Sequence, residues 1–457
     1  MPEPSPRSDS RERLLDIASR IAGWAKDGEQ VEAFVLRGRE TDIRIHEGGI
    51  EQLSTADSEG AGVRVIADHR QGFAWAGSLD PDVLHETLDE ARDNASFGTP
   101  DEFLGLASPD GVAAADIDPY DVALESFSTE DKIELAMELE RRTRAGDPRI
   151  RNLESADYGD GLSEAAVVTS TGLSAWSRRS MVSLSTFAIA GEGDDTQTGF
   201  GVTFGRSPAD LDLERCANDA VVRSTRLLGA VKPASARVTV VLEPFVTASF
   251  LSVLASTLNG ESVLKGRSLF ADRMGEEVAP SFVTLVDDPT DPAASNASRY
   301  DGEGLASRRT PLIEDGVLTG FLYNTYAARR AGTASTASAV RGGFKGGPGC
   351  GPRAISLVPG SAGQDEIIAG IDLGVLVQDV SGLHSGVNPV SGDFSVGAEG
   401  MMIRNGELAE PVREITISST IQRMLKGLTA VGNDLEWAYG SAAHVTLAMA
   451  DVSMSGV

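Results

Sequence analysis

The chain has 457 residues, 68 acidic against 40 basic side chains, a formal charge of −28 and a 41% hydrophobic share. Length and apolar content suffice for two or three cored domains, while so negative a surface repels phosphate backbones and anionic lipid and argues against nucleic acid or a membrane as partner. Two cysteines without CxxC spacing, no apolar signal core and no run of ~18 apolar residues point to a reducing, cytoplasmic setting.

Residues 1–9 read as a short polar tail. From Ser10 to Lys26, Leu14, Ile17, Ala18 and Ile21 recur at helical spacing and predict an amphipathic helix. The period then changes: Val31–Leu36, Thr41–Ile45, Gly62–Ile66 and Gly72–Gly77 read as strands, with Gly48-Gly49 and Gly60 as turns. Pro81 opens a helix through Leu84, Leu88 and Ala91. These elements make a first α+β domain over 1–98.

A second α+β domain spans 99–230. It starts with a Pro, Gly, Asp and Ala-rich crossing segment over 99–122, and Ser128 then caps a helix carrying Ile133, Leu135, Ala136 and Leu139. Ile150–Tyr158, Ala165–Thr171, Met181–Ile189 and Gly199–Phe204 follow as strands, and a helix from about Leu211 to Leu228 closes the unit. The third domain, 231–457, is sheet-rich. It opens with the strand Val238–Leu242 and a helix from Glu243-Pro244 to about Leu258, and it contains hairpins turning at Asp315-Gly316 and Asn405-Gly406. The fold class expected is α+β, mixed sheets with flanking helices.

Few residues present themselves for chemistry. There is no HExxH helix and no GxSxG elbow. The five histidines, His46, His69, His85, His384 and His444, are far apart in sequence, and His85-Glu86 is followed one turn later by Asp89 and Glu90 rather than by a second ligand. The Gly342–Pro352 stretch lacks the GK[ST] ending of a phosphate loop and reads as a substrate-facing or structural loop; Cys350 within it is a nucleophile only if a base approaches in space. Asn388-Pro, Ser391-Gly-Asp393 and the alternation Phe394, Val396, Ala398 describe a turn running into a strand. Asn388, Gly392, Asp393, Phe394 and Ser395 are therefore candidate substrate-binding residues, offering backbone groups to an extended peptide. Plain turn chemistry, with Asp393 capping its own loop, accounts for the same residues.

Several motifs occur in a fixed order. Asp301-Gly-Glu-Gly304 precedes Arg308-Arg-Thr-Pro-Leu-Ile-Glu-Asp-Gly-Val-Leu318, then Tyr323–Gly332, then Ser385–Gly400, the Asn405-Gly406 hairpin, Pro411–Ile417 and Val431-Gly-Asn-Asp434. This order resembles the TldD/PmbA family, whose members are tied to a cytosolic peptidase and to peptide maturation, and the likeness runs over roughly 12–455. In that family TldD-like chains resemble metallopeptidases, with a His-Glu-x-x-x-His helix after the strand that opens the C-terminal domain and a later cysteine ligand. PmbA-like (TldE-like) chains lack the set. Here Ser252-Val253 stand where the His-Glu pair would be and Thr257 where the second His would be; no cysteine follows Asp434, although His444 lies near that region. Hydroxyls are poor zinc ligands beside imidazole or thiolate. The resemblance thus implies a PmbA/TldE-like subunit with no catalytic or metal-ligating residue of its own and no bound cofactor. It implies zinc in a TldD-like partner that acts on unfolded or modified peptides. The alternative is a non-enzymatic peptide-binding adaptor.

Overall fold

Residues 6–438 and 440–457 are described by the computed structural model, so the first five residues of the polar tail expected over 1–9 lie outside the described residues, while 6–9 belong to a helix rather than a tail. Helix α1 (Pro6–Gly23) starts earlier than its apolar stripe suggests. Strands β1 (Glu29–His46), β2 (Gly49–Ala67) and β3 (Arg70–Ala76) and helix α2 (Pro81–Ser96) follow. Next come α3 (Thr129–Ala145), β4 (Ile150–Thr169), β5 (Ser174–Glu192), β6 (Asp195–Gly205) and α4 (Leu213–Thr225). Side-chain oxygens of Asp80 and Ser128 cap α2 and α3, satisfying N–H groups that have no helical partner.

The six strands form one antiparallel sheet in the order β3-β2-β1-β4-β5-β6. β1 and β4 pair from Glu32↔Thr169 to Ile45↔Ala156, so the two N-terminal units share this sheet. Segments that the sequence pattern separates, Val31–Leu36 and Thr41–Ile45, lie on the single strand β1. The reason is the helical cover. Val31, Ala33 and Val35 pack under α1 and α2, Ile43 and Ile45 under α3 and α4, and the polar stretch Arg37–Glu40 crosses the gap between the two helix pairs. All these apolar residues are odd-numbered and share one face of the pleat.

The third domain begins with β7 (Ala236–Leu242), α5 (Pro244–Thr257) and α6 (Gly260–Leu264), then β8 (Leu285–Asp287), β9 (Thr310–Glu314), β10 (Val317–Leu318), α7 (Thr325–Ala331), β11 (Ala339–Val340), β12 (Gly349–Cys350) and β13 (Ile355–Leu357). It ends with α8 (Gln364–Ala369), β14 (Leu373–Ser381), α9 (Leu383–Gly386), β15 (Asp393–Arg404), β16 (Glu407–Thr420), α10 (Ile421–Lys426), β17 (Leu428–Val431) and β18 (Leu447–Ser455). Both expected hairpins are present, with Asp315-Gly316 and Asn405-Gly406 at positive φ. The larger sheet runs β16-β15-β14-β7-β18-β17, with β7 and β14 parallel. Thr416–Ser418 of β16 also pair with β18, so the sheet curls until its ends meet and few strand edges remain. α5 packs between this sheet and the smaller β10-β9-β8-β13 sheet in one continuous core. Among the described residues no helix is long and apolar enough to cross a membrane.

Two contacts bind this domain to the uncovered face of the N-terminal sheet. Phe344, from the glycine-rich loop, packs on Phe34 and Val167. A Cβ on Gly62 would collide with the Phe344 carbonyl, which is why glycine stands there. Beside it, buried Glu32 accepts from Arg64 at 2.6 Å and from Arg341 at 2.5 Å, and Arg64 lies 3.5 Å from Glu303. The Gly342–Pro352 loop is thus structural at its Phe344 end.

Candidate functional site

Pro244 at the first turn of α5 presets its backbone for the helix, and Glu243 stands just before it. Ser252 is exposed and donates to the Ala248 carbonyl at 2.8 Å; Val253 packs against the core; Thr257 is fully buried and donates to the Leu254 carbonyl at 2.6 Å. Five residues along a helix turn about 140°, so the two hydroxyls point to different surroundings, and each is spent on its own helix. Among the described residues no three His, Cys, Asp or Glu side chains are disposed to hold a metal ion. The donors present on α5 do not fit zinc.

The loop 388–395 is brought together as the sequence suggests, though with a different chemistry. The Asn388 carboxamide oxygen accepts from the N–H groups of Val390 and Ser391, the Asp393 carboxylate accepts from the Ser391 hydroxyl at 2.7 Å, and Gly392 sits at positive φ. Phe394 is a core residue edge-on to Phe250, and Gly392 is buried; Asn388, Asp393 and Ser395 stay exposed. The backbone offer to a peptide has to be corrected. β15 lies between β14 and β16, residues 393–395 pair with Thr420–Ser418, and Val387 bridges to Phe394, so this strand has no free edge. Only the three exposed side chains remain for a ligand.

Cys350 is no activated nucleophile. Its thiol donates to the Leu322 carbonyl at 3.1 Å, and burial pushes its pKa up to about 12. His85 is exposed and stacks on Trp24, and His384 is exposed on α9. His444 alone of the five is buried.

His444 lines a cavity of about 290 Å³ between α4, the start of α5 and the 434–444 segment. α4 faces it with Arg215, Asp219 and Arg223 at i, i+4, i+8, opposite the buried Cys216, Ala217 and Ala220. Most of the wall's charges are matched: Arg215 donates to Glu436 at 2.6 Å, Arg223 Nε lies 3.6 Å from Glu243, and Arg226 binds Glu243 and Gln378. Asp434 accepts from the Thr446 N–H and hydroxyl. Burial keeps the His444 imidazole below its ordinary pKa despite the pull of Glu436, with Arg223 and Arg215 adding to the depression. Burial raises the Asp219 carboxyl although Arg223 and Arg215 oppose it. Sequence reasoning missed this wall because residues 215, 243, 364, 436 and 444 meet only in the fold; the one local signal was the Arg-Asp-Arg stripe on α4.

Sequence comparison covers nearly the whole chain. Residues 31–95 match the profile described as PmbA/TldA metallopeptidase domain 1, residues 123–228 the central domain, and residues 235–456 the C-terminal domain of the same family. The chain is 28% identical over 428 residues to Metalloprotease PmbA of Escherichia coli O157:H7, covering 93% of this chain and 92% of that protein. It is 26% identical to the Metalloprotease TldD homolog of Haemophilus influenzae, with 92% and 89% covered. The crystal structure of TldE from Thermococcus kodakarensis superposes with a TM-score of 0.87 at 24% identity, covering 97% of this chain and 99% of that one. Identity alone barely separates the PmbA-type from the TldD-type relative, so the subclass rests on the residues of α5.

Proposed function

Because the chain belongs to the PmbA/TldD metallopeptidase family, as a PmbA/TldE-like member without the zinc-binding motif, we propose that it is the metal-free subunit of a heteromeric peptidase. A TldD-like partner supplies the zinc, which activates water against an unfolded or modified peptide. This chain helps enclose the substrate and admit it to the partner's cleft. The observation that carries the reading is α5: the helix is intact, but its ligand positions hold Ser252, Val253 and Thr257, with both hydroxyls bonded to their own helix.

The test is peptide digestion by the purified chain, with and without a TldD-like subunit. Cleavage is expected only in the mixture, and it should be abolished by a chelator. Robust chelator-sensitive cleavage by the chain alone overturns the reading. An adaptor independent of any protease would instead be recovered from cells with a client and no metal-binding homologue.

A further inference from the structure

The two ends of the N-terminal sheet are finished differently. At one end β6 pairs with β5 only over Val182–Glu192, and the crossing segment covers part of what is left. The Ser180 N–H donates to the Pro119 carbonyl at 3.0 Å, the Asp121 N–H donates to the Ser180 hydroxyl at 2.8 Å, and Arg178 binds Asp118. At the other end β3 stops at Ala76, opposite Ala61 of β2. The eleven residues Gly49–Glu59 of β2 pair with β1 on one side, and no described residue hydrogen-bonds to their backbone on the other. All eleven are exposed, Ile50 and Leu53 among them. At ~3.3 Å per residue this is about 36 Å of open strand edge. Proteins ordinarily cover or shorten such an edge, because its free N–H and C=O groups template another strand.

The charges along the edge select what can pair with it. From Glu47 to Val63 there are four carboxylates and no lysine or arginine. Asp57 and Glu59 face Arg39 and Arg13 only loosely, at 3.9 and 3.7 Å between exposed groups, and such pairs contribute little in water. In the two fullest antiparallel registers with a second copy of this edge, Glu51 falls opposite Asp57 or Glu59, and like charges directly opposite destabilise a strand pair. A strand with lysine or arginine on the face of Asp57 and Glu59 meets opposite charge instead, and the field of a chain with formal charge −28 draws it in.

We infer that the Gly49–Glu59 edge of β2 docks an extended, lysine- or arginine-bearing peptide segment, which adds a strand in line with β3. Main-chain hydrogen bonds to the edge hold the segment, and Asp57 and Glu59 set its preference for cations. The choice of a peptide over a folded partner rests on the peptide-handling role proposed above; the open edge and its charge do not. No bond is made or broken here.

The experiment is calorimetric titration of the full chain with N-acetyl-(Lys-Thr)4 amide, with the matching (Glu-Thr)4 peptide, and with two forms of the lysine peptide N-methylated at every lysine or at every threonine. The lysine peptide should bind, and the glutamate peptide should bind about tenfold more weakly or worse. Along a strand alternate N–H groups point to opposite sides, so one methylation pattern should abolish binding and the other should leave it. Asp57→Lys combined with Glu59→Lys, both on exposed side chains, should reverse the preference between the two charged peptides. Equal binding of the glutamate peptide, equal effects of the two methylation patterns, or an unchanged preference in the folded double variant overturns the proposal. So does an absence of peptide binding; a concentration-dependent dimer in sedimentation would then assign the edge to a second copy. The methylation arm needs no variant, so misfolding cannot mimic its result. Since no zinc and no TldD-like subunit enter the titration, this site can fail while the metal-free reading stands, and cleavage by the lone chain would sink that reading without touching the edge.

Discussion

Glu32→Gln is the perturbation that most sharply tests how the N-terminal sheet is held to the third domain. Glu32 is 1% exposed and accepts from Arg64, its direct cross-strand partner on β2, and from Arg341 of the third domain. Burial opposes its ionisation, but Arg64 and Arg341 together outweigh that penalty and hold the carboxyl below its usual value. Breaking a buried pair by removing one partner costs about 3–5 kcal/mol, because the remaining charge stays uncompensated. Here the lower end applies: glutamine keeps the volume and one acceptor, Arg64 retains Glu303 at 3.5 Å, and Arg341 retains the carbonyls of Gly302 and Gly346. The expected loss is about 3 kcal/mol. Equilibrium urea unfolding reads it, followed by tryptophan fluorescence, since Trp75 packs beside Phe344 at this junction. The double variant with Arg341→Met should fall short of the sum of the two single losses by about 1 kcal/mol or more. The sign with pH follows from the depressed value: the ionised Glu32 stabilises above its unfolded pKa, and that contribution is lost as pH falls through the lower folded value. Glu32→Gln should therefore lose less stability in acid than the parent chain. A loss below about 1 kcal/mol with strictly additive behaviour refutes the charge knot as the clamp.

Three further outcomes are expected. Gly62→Ala should destabilise by about 1–3 kcal/mol, because the added Cβ meets a backbone carbonyl of Phe344 that cannot rotate away. Gly49→Ala, whose Cβ would have ordinary contact distances, should change stability by less than about 0.5 kcal/mol in the same urea assay, and equal losses would discount the close approach. The pKa of His444 is depressed, so the native state resists protonation that the unfolded chain accepts below about pH 6.5, and stability falls as pH drops from there towards the folded value. His444→Gln should flatten that stretch of the stability–pH curve; an unchanged slope would show that the imidazole is not held neutral. Burial raises both thiols, Cys216 and Cys350, to about 12, so a disulfide reagent at neutral pH should modify the folded chain roughly a thousandfold more slowly than the urea-unfolded chain. Rapid labelling of one thiol in the folded chain would contradict this.

What could be read from the sequence was local or ordered along the chain. Asp315-Gly316 and Asn405-Gly406 announce their hairpins because both turn residues need positive φ; Pro81 announces its helix because its backbone is preset for a first turn, and Ser128 because a side-chain oxygen must replace a missing partner. The lost ligand set on α5 was legible because register from Val240–Leu242 carries straight into the helix. Length of strand was not legible: the polar run Arg37–Glu40 looks like a break until the gap between two helix pairs explains it. The closing of the larger sheet through β16 and β18 and the occupied edges of β15 are long-range pairings with no local mark. For the same reason Phe394 reads as a loop-side binding residue in sequence and is a core residue in the fold. The His444 cavity depends on segments more than 200 residues apart, and only the charge stripe on α4 hinted at it.

The central claim is that the third domain keeps the helix of a zinc peptidase but not its metal. Metal analysis of the native chain, purified alone and again as a complex with a TldD-like subunit, tests it most directly. The account predicts no stoichiometric zinc in the chain alone, even after dialysis against zinc, and zinc in the complex in proportion to the partner. One firmly held zinc per copy of the chain by itself would contradict it.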